Sequence, residues 1–99
     1  MFSIAELVAF QKDSVVSRTL IEEKSGTVTI FAFDKGQGLS EHTAPYHALV
    51  QVLEGRVVVN IGGESHEIEG GRSIIMPAGV PHSMKAVDPF KMMLTMIRN

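Results

Sequence analysis

Four histidines and six methionines, with no cysteine, are the side chains of this 99-residue sequence best suited to hold a metal ion. Without thiolate, any metal must be bound by imidazole, carboxylate or thioether. Imidazole suits iron, copper, zinc and nickel, and a thioether shifts the preference toward copper. Three of the histidines fall in two glycine-punctuated segments. The first reads Gly36-x5-His42-x-Ala44-x3-Ala48-x6-Gly55, with His47 beside Ala48. The second reads Gly71-x5-Pro77-x-Gly79-x2-His82-x3-Ala86. His66 lies in the polar stretch Glu64-Ser65-His66-Glu67 and reads as a surface residue. No nucleophile–base pairing of the serine-hydrolase kind stands out.

The elements that must position these residues are mostly strands. Apolar and β-branched runs over 15–20, 27–33, 48–53, 56–61, 64–68, 73–76, 82–86 and 90–97 predict about eight short strands. Residues 34–38 read as a loop, and Gly62-Gly63 as a two-residue hairpin turn. At the start, Ser3 and Glu6 form a capping-box pattern, with Phe2 and Leu7 spaced for a hydrophobic staple. Ile4, Leu7 and Val8 then share one face, which predicts a short helix docked on a sheet. Many short strands with glycine turns point to an all-β sandwich or barrel.

Composition narrows the function classes. Ninety-nine residues with 44% hydrophobic and 20% charged side chains make one globular domain, 1–99. A net charge of −2 with no Lys/Arg run argues against nucleic acid and against a membrane surface. No apolar stretch approaches the ~20 residues of a membrane span, and no signal peptide is read. A soluble, cytoplasmic protein is the expectation.

The two segments together resemble the paired signatures of the cupin family, motif 1 at about 36–55 and motif 2 at about 71–86. The resemblance implies a double-stranded β-helix, or jelly-roll, barrel preceded here by the short helix. It also implies a divalent transition metal inside the barrel: Fe, Cu, Zn, Mn or Ni. The departures are chemical, because Ala44 stands where the family usually has a second His and Ala48 where it usually has Glu, Gln or His. On the family pattern His42, Ala44, Ala48, Val50 and Val52 point inward, and His82 and Met84 face them from across the barrel. Ala44, Tyr46, Ala48, Val50, Met76 and Met84 would then line the pocket. Regular alternation points His47 outward. A bulge around Pro45-Tyr46 would turn it in, completing a three-histidine face with His42 and His82, similar to that of cupin dioxygenases holding ferrous iron.

Each site residue also has a plainer reading. His42 reads equally as a rim histidine bonded to a carbonyl, and His47 as a solvent-facing residue. The methionines, with Met92, Met93 and Met96 close together, read as fillers of irregular barrel space. Three function classes follow. One is a metal-dependent enzyme, dioxygenase- or isomerase-like, with Tyr46 and Glu41 as its only nearby polar groups. Another is a metal-free module that holds a small-molecule ligand in an apolar barrel between His42 and His82. The last is a structural protein. All three are compatible with a homodimer, expected through an apolar face of Leu49, Leu53, Phe31 and Phe33.

Overall fold

A computed structural model describes residues 1–98. After a 3-10 turn at Ile4–Leu7 come nine strands: β1 (Val15–Glu23), β2 (Gly26–Phe33), β3 (Gly38–His42), β4 (His47–Glu54), β5 (Arg56–Ile61), β6 (Glu64–Glu69), β7 (Ser73–Met76), β8 (His82–Ala86) and β9 (Phe90–Ile97). They form two antiparallel sheets, one in the order β1-β2-β9-β4-β7 and the other β3-β8-β5-β6. The fold is therefore the expected jelly-roll barrel. The expected strands are all present, and β3 is a ninth, inside what reads as loop and motif in the sequence.

Side-chain alternation explains the core. In β4, Ala48, Val50 and Val52 are buried, whereas His47 before them and Leu49 between them are exposed. Phe33 and Phe90 sit opposite each other in β2 and β9, fully buried, their rings stacked at 4.6 Å. Phe31 also packs on this core. Phe31 and Phe33 are thus inside the barrel and unavailable for the outer face expected of them. Leu53 is covered as well, in a second cluster on the outside of the five-stranded sheet.

That second cluster is where the N-terminal segment docks. Val8 packs on Ile30 and Ala32, with Ile4, Leu7 and Met93 around them. The expected helix is only a four-residue 3-10 turn, and the Ser3 side chain makes no capping bond. Instead the Ser3 carbonyl accepts from the Glu6 N–H at 3.1 Å. Burial against the sheet, rather than the local capping pattern, holds the segment in place. Lys91 fixes it electrostatically: its Nζ donates to the Ala5 carbonyl at 2.6 Å, pairs with Glu54 at 3.1 Å and lies 5.1 Å from the Phe10 ring centroid. The side chain is only 12% exposed, so these contacts stand largely out of water. Lys91→Met is expected to lower stability by about 2 kcal/mol, a charged hydrogen bond and a partly buried ion pair being lost together. Urea unfolding checks this, the midpoint falling with the slope unchanged.

Candidate metal centre

β3 and β8 are neighbouring strands of the four-stranded sheet, and His42 and His82 are direct cross-strand partners within it. The family pattern puts His82 across the barrel from His42; the register makes them adjacent instead. β-pairing brings facing side chains to within about 5 Å at Cβ, close enough for two imidazoles to meet. Their ring centroids lie 4.3 Å apart and their Nε2 atoms 3.1 Å apart. His82 is buried, at 6% exposure, while His42 opens to solvent.

The other nitrogen of each ring fixes its tautomer. His42 Nδ1 lies 2.9 Å from the Ser40 carbonyl, and His82 Nδ1 lies 3.2 Å from the Val80 carbonyl. A carbonyl can only accept, so each Nδ1 carries the hydrogen and donates it. Neutral rings held this way bring two unprotonated Nε2 atoms to within 3.1 Å of each other, the rings inclined at 68°. Such an arrangement is repulsive unless a cation, a proton or a metal ion, stands between them. The spacing also suits a metal, since two nitrogens at ~2.0–2.1 Å on adjacent coordination positions lie about 2.8–3.4 Å apart. Donation of the second ring N–H to a backbone carbonyl is the usual support for a ligating histidine. The two residues present fit a metal ion as a pair of cis ligands.

Both histidines open onto a cavity of about 50 Å³, lined also by Leu39, Ala44, Tyr46, Ala48, Met76, Ser83, Met84, Leu94 and Met96. That volume takes an ion and roughly one or two waters; pockets for drug-sized molecules run to several hundred Å³. The alanines do not open a large space because methionines occupy it. Ala48 is flanked in register by Met76 on β7 and Met96 on β9. A larger cleft of about 500 Å³ lies between β6 and β7. It is open to solvent, and its Arg56 is already engaged by Asp88 and Glu67. Nothing there converges as the histidines do.

Of the expected pocket residues, Ala44, Tyr46, Ala48, Met76 and Met84 line the cavity. Val50 does not; it lies fully buried in the core. His47 is not brought to the pair. It is exposed on the outer side of β4, and its Nδ1 accepts from the Ala78 N–H at 3.2 Å. Among the described residues no group of three His, Cys, Asp or Glu side chains converges on one point, so the three-histidine face is not formed. Glu41, next to His42 on β3, is exposed and does not line the cavity. Leu39, Ser83, Leu94 and Met96 are lining residues the sequence reading missed as such. Inward parity on β9, set by buried Phe90 and Met92, was the available signal for Leu94 and Met96.

His47 serves the site indirectly. The bond to Ala78, with the Gly79 N–H to Ala44 carbonyl bond at 2.9 Å, stitches the loop before β8 to the loop before β4. Those loops lead into and away from the two paired histidines. His47→Ala is expected to cost about 1 kcal/mol in thermal unfolding while the protein keeps its full metal stoichiometry, measured by elemental analysis.

Comparison with known proteins agrees with this architecture. A family model described as a cupin domain matches residues 29–98. A conserved protein of unknown function from Streptococcus pyogenes superposes with a TM-score of 0.96 at 33% identity, covering 100% of this chain and 87% of that one. A cupin 2 conserved barrel domain protein from Leptotrichia buccalis gives 0.95 at 35% identity, covering 98% of this chain and 47% of that one. Salicylate 1,2-dioxygenase from Pseudoaminobacter salicylatoxidans, as its G106A mutant, gives 0.78 at 18% identity, over 84% of this chain and 26% of that one, a likeness of fold alone. A comparison with curated protein sequences returns no match.

Proposed function

The chain belongs to the cupin domain family, and from that premise we propose that it binds a transition-metal ion between His42 and His82. The observation that carries this reading is the 3.1 Å Nε2–Nε2 approach with both Nδ1–H groups donated to carbonyls. A bound metal would supply Lewis acidity and leave coordination positions open toward the cavity for water or a small ligand. Among the described residues Tyr46 is the only ionisable side chain lining that cavity besides the two histidines. Proton-transfer chemistry beyond activation of a small bound molecule therefore has few groups to draw on. A metal-free site for a planar organic ligand is the weaker reading, because about 50 Å³ is too little room for one. Calorimetric titration of chelator-treated protein tests the proposal. One ion per chain and a metal-dependent rise in melting temperature support it; no binding of any of Mn, Fe, Co, Ni, Cu or Zn overturns it.

The homodimer expected from the sequence belongs to the same proposal, through a different set of residues. Ile21, Val28, Thr95, Leu49 and Ile75 are successive cross-strand partners and form one row across all five strands of the larger sheet. Ile97, paired with His47, extends it. Ile21, Leu49, Ile75 and Ile97 are exposed, Ile75 to 62%, and the row carries no charge. Four aliphatic side chains so exposed present roughly 400 Å² of apolar surface, which Val28, Thr95 and the His47 ring widen toward the ~600 Å² per partner of the smaller stable interfaces. A second copy offers the same uncharged, equally twisted sheet face, suited to aligned sheet-on-sheet packing. Light scattering is expected to give a dimer for the wild type and a monomer for Leu49→Glu/Ile75→Glu. A wild-type monomer, or a dimer that survives both changes, contradicts this interface.

A further inference from the structure

Resting on the metal-site reading above, we propose that the ion this site selects is a soft monovalent one, Cu(I), held by the two imidazoles together with thioether sulfur from one or two of the three methionines beside them, Met76, Met84 and Met96. Three of the chain's six methionines line the same cavity of about 50 Å³ as the histidines. They arrive from three different strands: Met76 on β7, Met84 on β8 and Met96 on β9. Met76 and Met84 are 3% and 5% exposed, so their sulfurs lie away from solvent. Met84 stands two residues from His82 on the same face of β8, and Met76 and Met96 flank Ala48 on either side. Among the described residues no carboxylate lines the cavity.

Ligand chemistry and charge then point the same way. Zinc, manganese and ferrous iron favour harder or anionic donors, and at this site they would draw most of their coordination from water. Cu(I) accepts neutral nitrogen and thioether sulfur in low coordination numbers. Burial adds a second reason. The cost of moving an ion out of water rises as the square of its charge, so a monovalent ion pays about a quarter of the penalty of a divalent one in an apolar cavity with uncharged ligands. If the methionines were there only to fill space, leucine would fill nearly as much of it. That difference makes the proposal testable.

The experiment is an anaerobic competition titration of purified protein with Cu(I) against a colorimetric Cu(I) chelator, alongside Zn(II). Wild type is compared with Met76→Leu/Met84→Leu/Met96→Leu, which removes sulfur at nearly constant volume, and with each single Leu variant as insurance against misfolding. Expected are one Cu(I) per chain, bound at least 100-fold tighter than Zn(II), and a loss of at least tenfold in Cu(I) affinity in the triple variant with Zn(II) affinity unchanged. If the triple variant does not fold, at least one single variant must lose threefold or more for Cu(I) alone. Cu(I) affinity indifferent to all the leucines, or Zn(II) bound as tightly as Cu(I), overturns the soft-site proposal yet leaves the histidine site standing. No histidine-dependent binding of either ion overturns both.

Discussion

His42→Ala protein is expected to lose metal affinity by at least 100-fold, about 2.7 kcal/mol, while its metal-free form melts within a few degrees of wild type. Among the described residues His42 and His82 carry the only side-chain nitrogens lining the cavity, so removing one leaves a single imidazole beside the methionine sulfurs. His42 is the cleaner of the two for this test because it is exposed and its loss opens no buried hole. Removing it also ends the close contact of two unprotonated Nε2 atoms at 3.1 Å, so the metal-free protein loses little or nothing. His82→Ala is expected to show the same loss of affinity with an added stability cost of about 1–2 kcal/mol, since that ring is buried and its bond to Val80 disappears. Parallel titrations and melts read both effects. Unchanged affinity in His42→Ala would remove the paired-histidine site.

Gly55→Ala is expected to be the most damaging small substitution in the chain, at about 3 kcal/mol or more. Gly55 has φ of +82° in the turn between β4 and β5, where an L side chain is strained. An added Cβ would also lie 2.1 Å from the Pro89 carbonyl oxygen and 2.7 Å from Phe90 Cα and Cβ. None of those atoms can move aside cheaply, because Phe90 is fully buried and stacked on Phe33. Gly71 makes the comparison: its φ is +91°, yet nothing lies within 4 Å of a Cβ there. Gly71→Ala is therefore expected to cost only about 1 kcal/mol, the conformational part alone. Thermal unfolding should separate the two by roughly 10 °C or more for a domain of this size. Equal melting temperatures would mean that the contact at Pro89–Phe90 has no consequence.

Most of the strand order was legible because β-branched runs, glycine turns and motif spacing agree with one another. β3 escaped because Gly38-Leu39-Ser40-Glu41-His42 has no β-branched residue, and pairing with β8 makes it a strand. The run 27–33 misled about direction for a related reason. Its outer residues Ile30 and Ala32 are as apolar as its inner ones, Phe31 and Phe33, since the N-terminal segment covers them. A strand buried on both faces loses the alternation that reveals its parity.

The meeting of the two histidines was half legible. Spacing picked out His42 and His82, but which strand pairs with which decides whether two such residues face across a barrel or sit side by side. No bulge turns His47 inward: β4 begins at that residue, and ordinary alternation places it outside. The size of the cavity was hidden too, because the methionines that fill the space beside Ala48 come from β7 and β9, remote in sequence.

Anomalous diffraction at the metal's absorption edge, from crystals of metal-loaded protein, would place the ion directly. One peak per chain is expected, within about 2.3 Å of Nε2 of both His42 and His82. A peak at His47, His66 or the β6–β7 cleft, or no peak in crystals of metal-loaded protein, would contradict it.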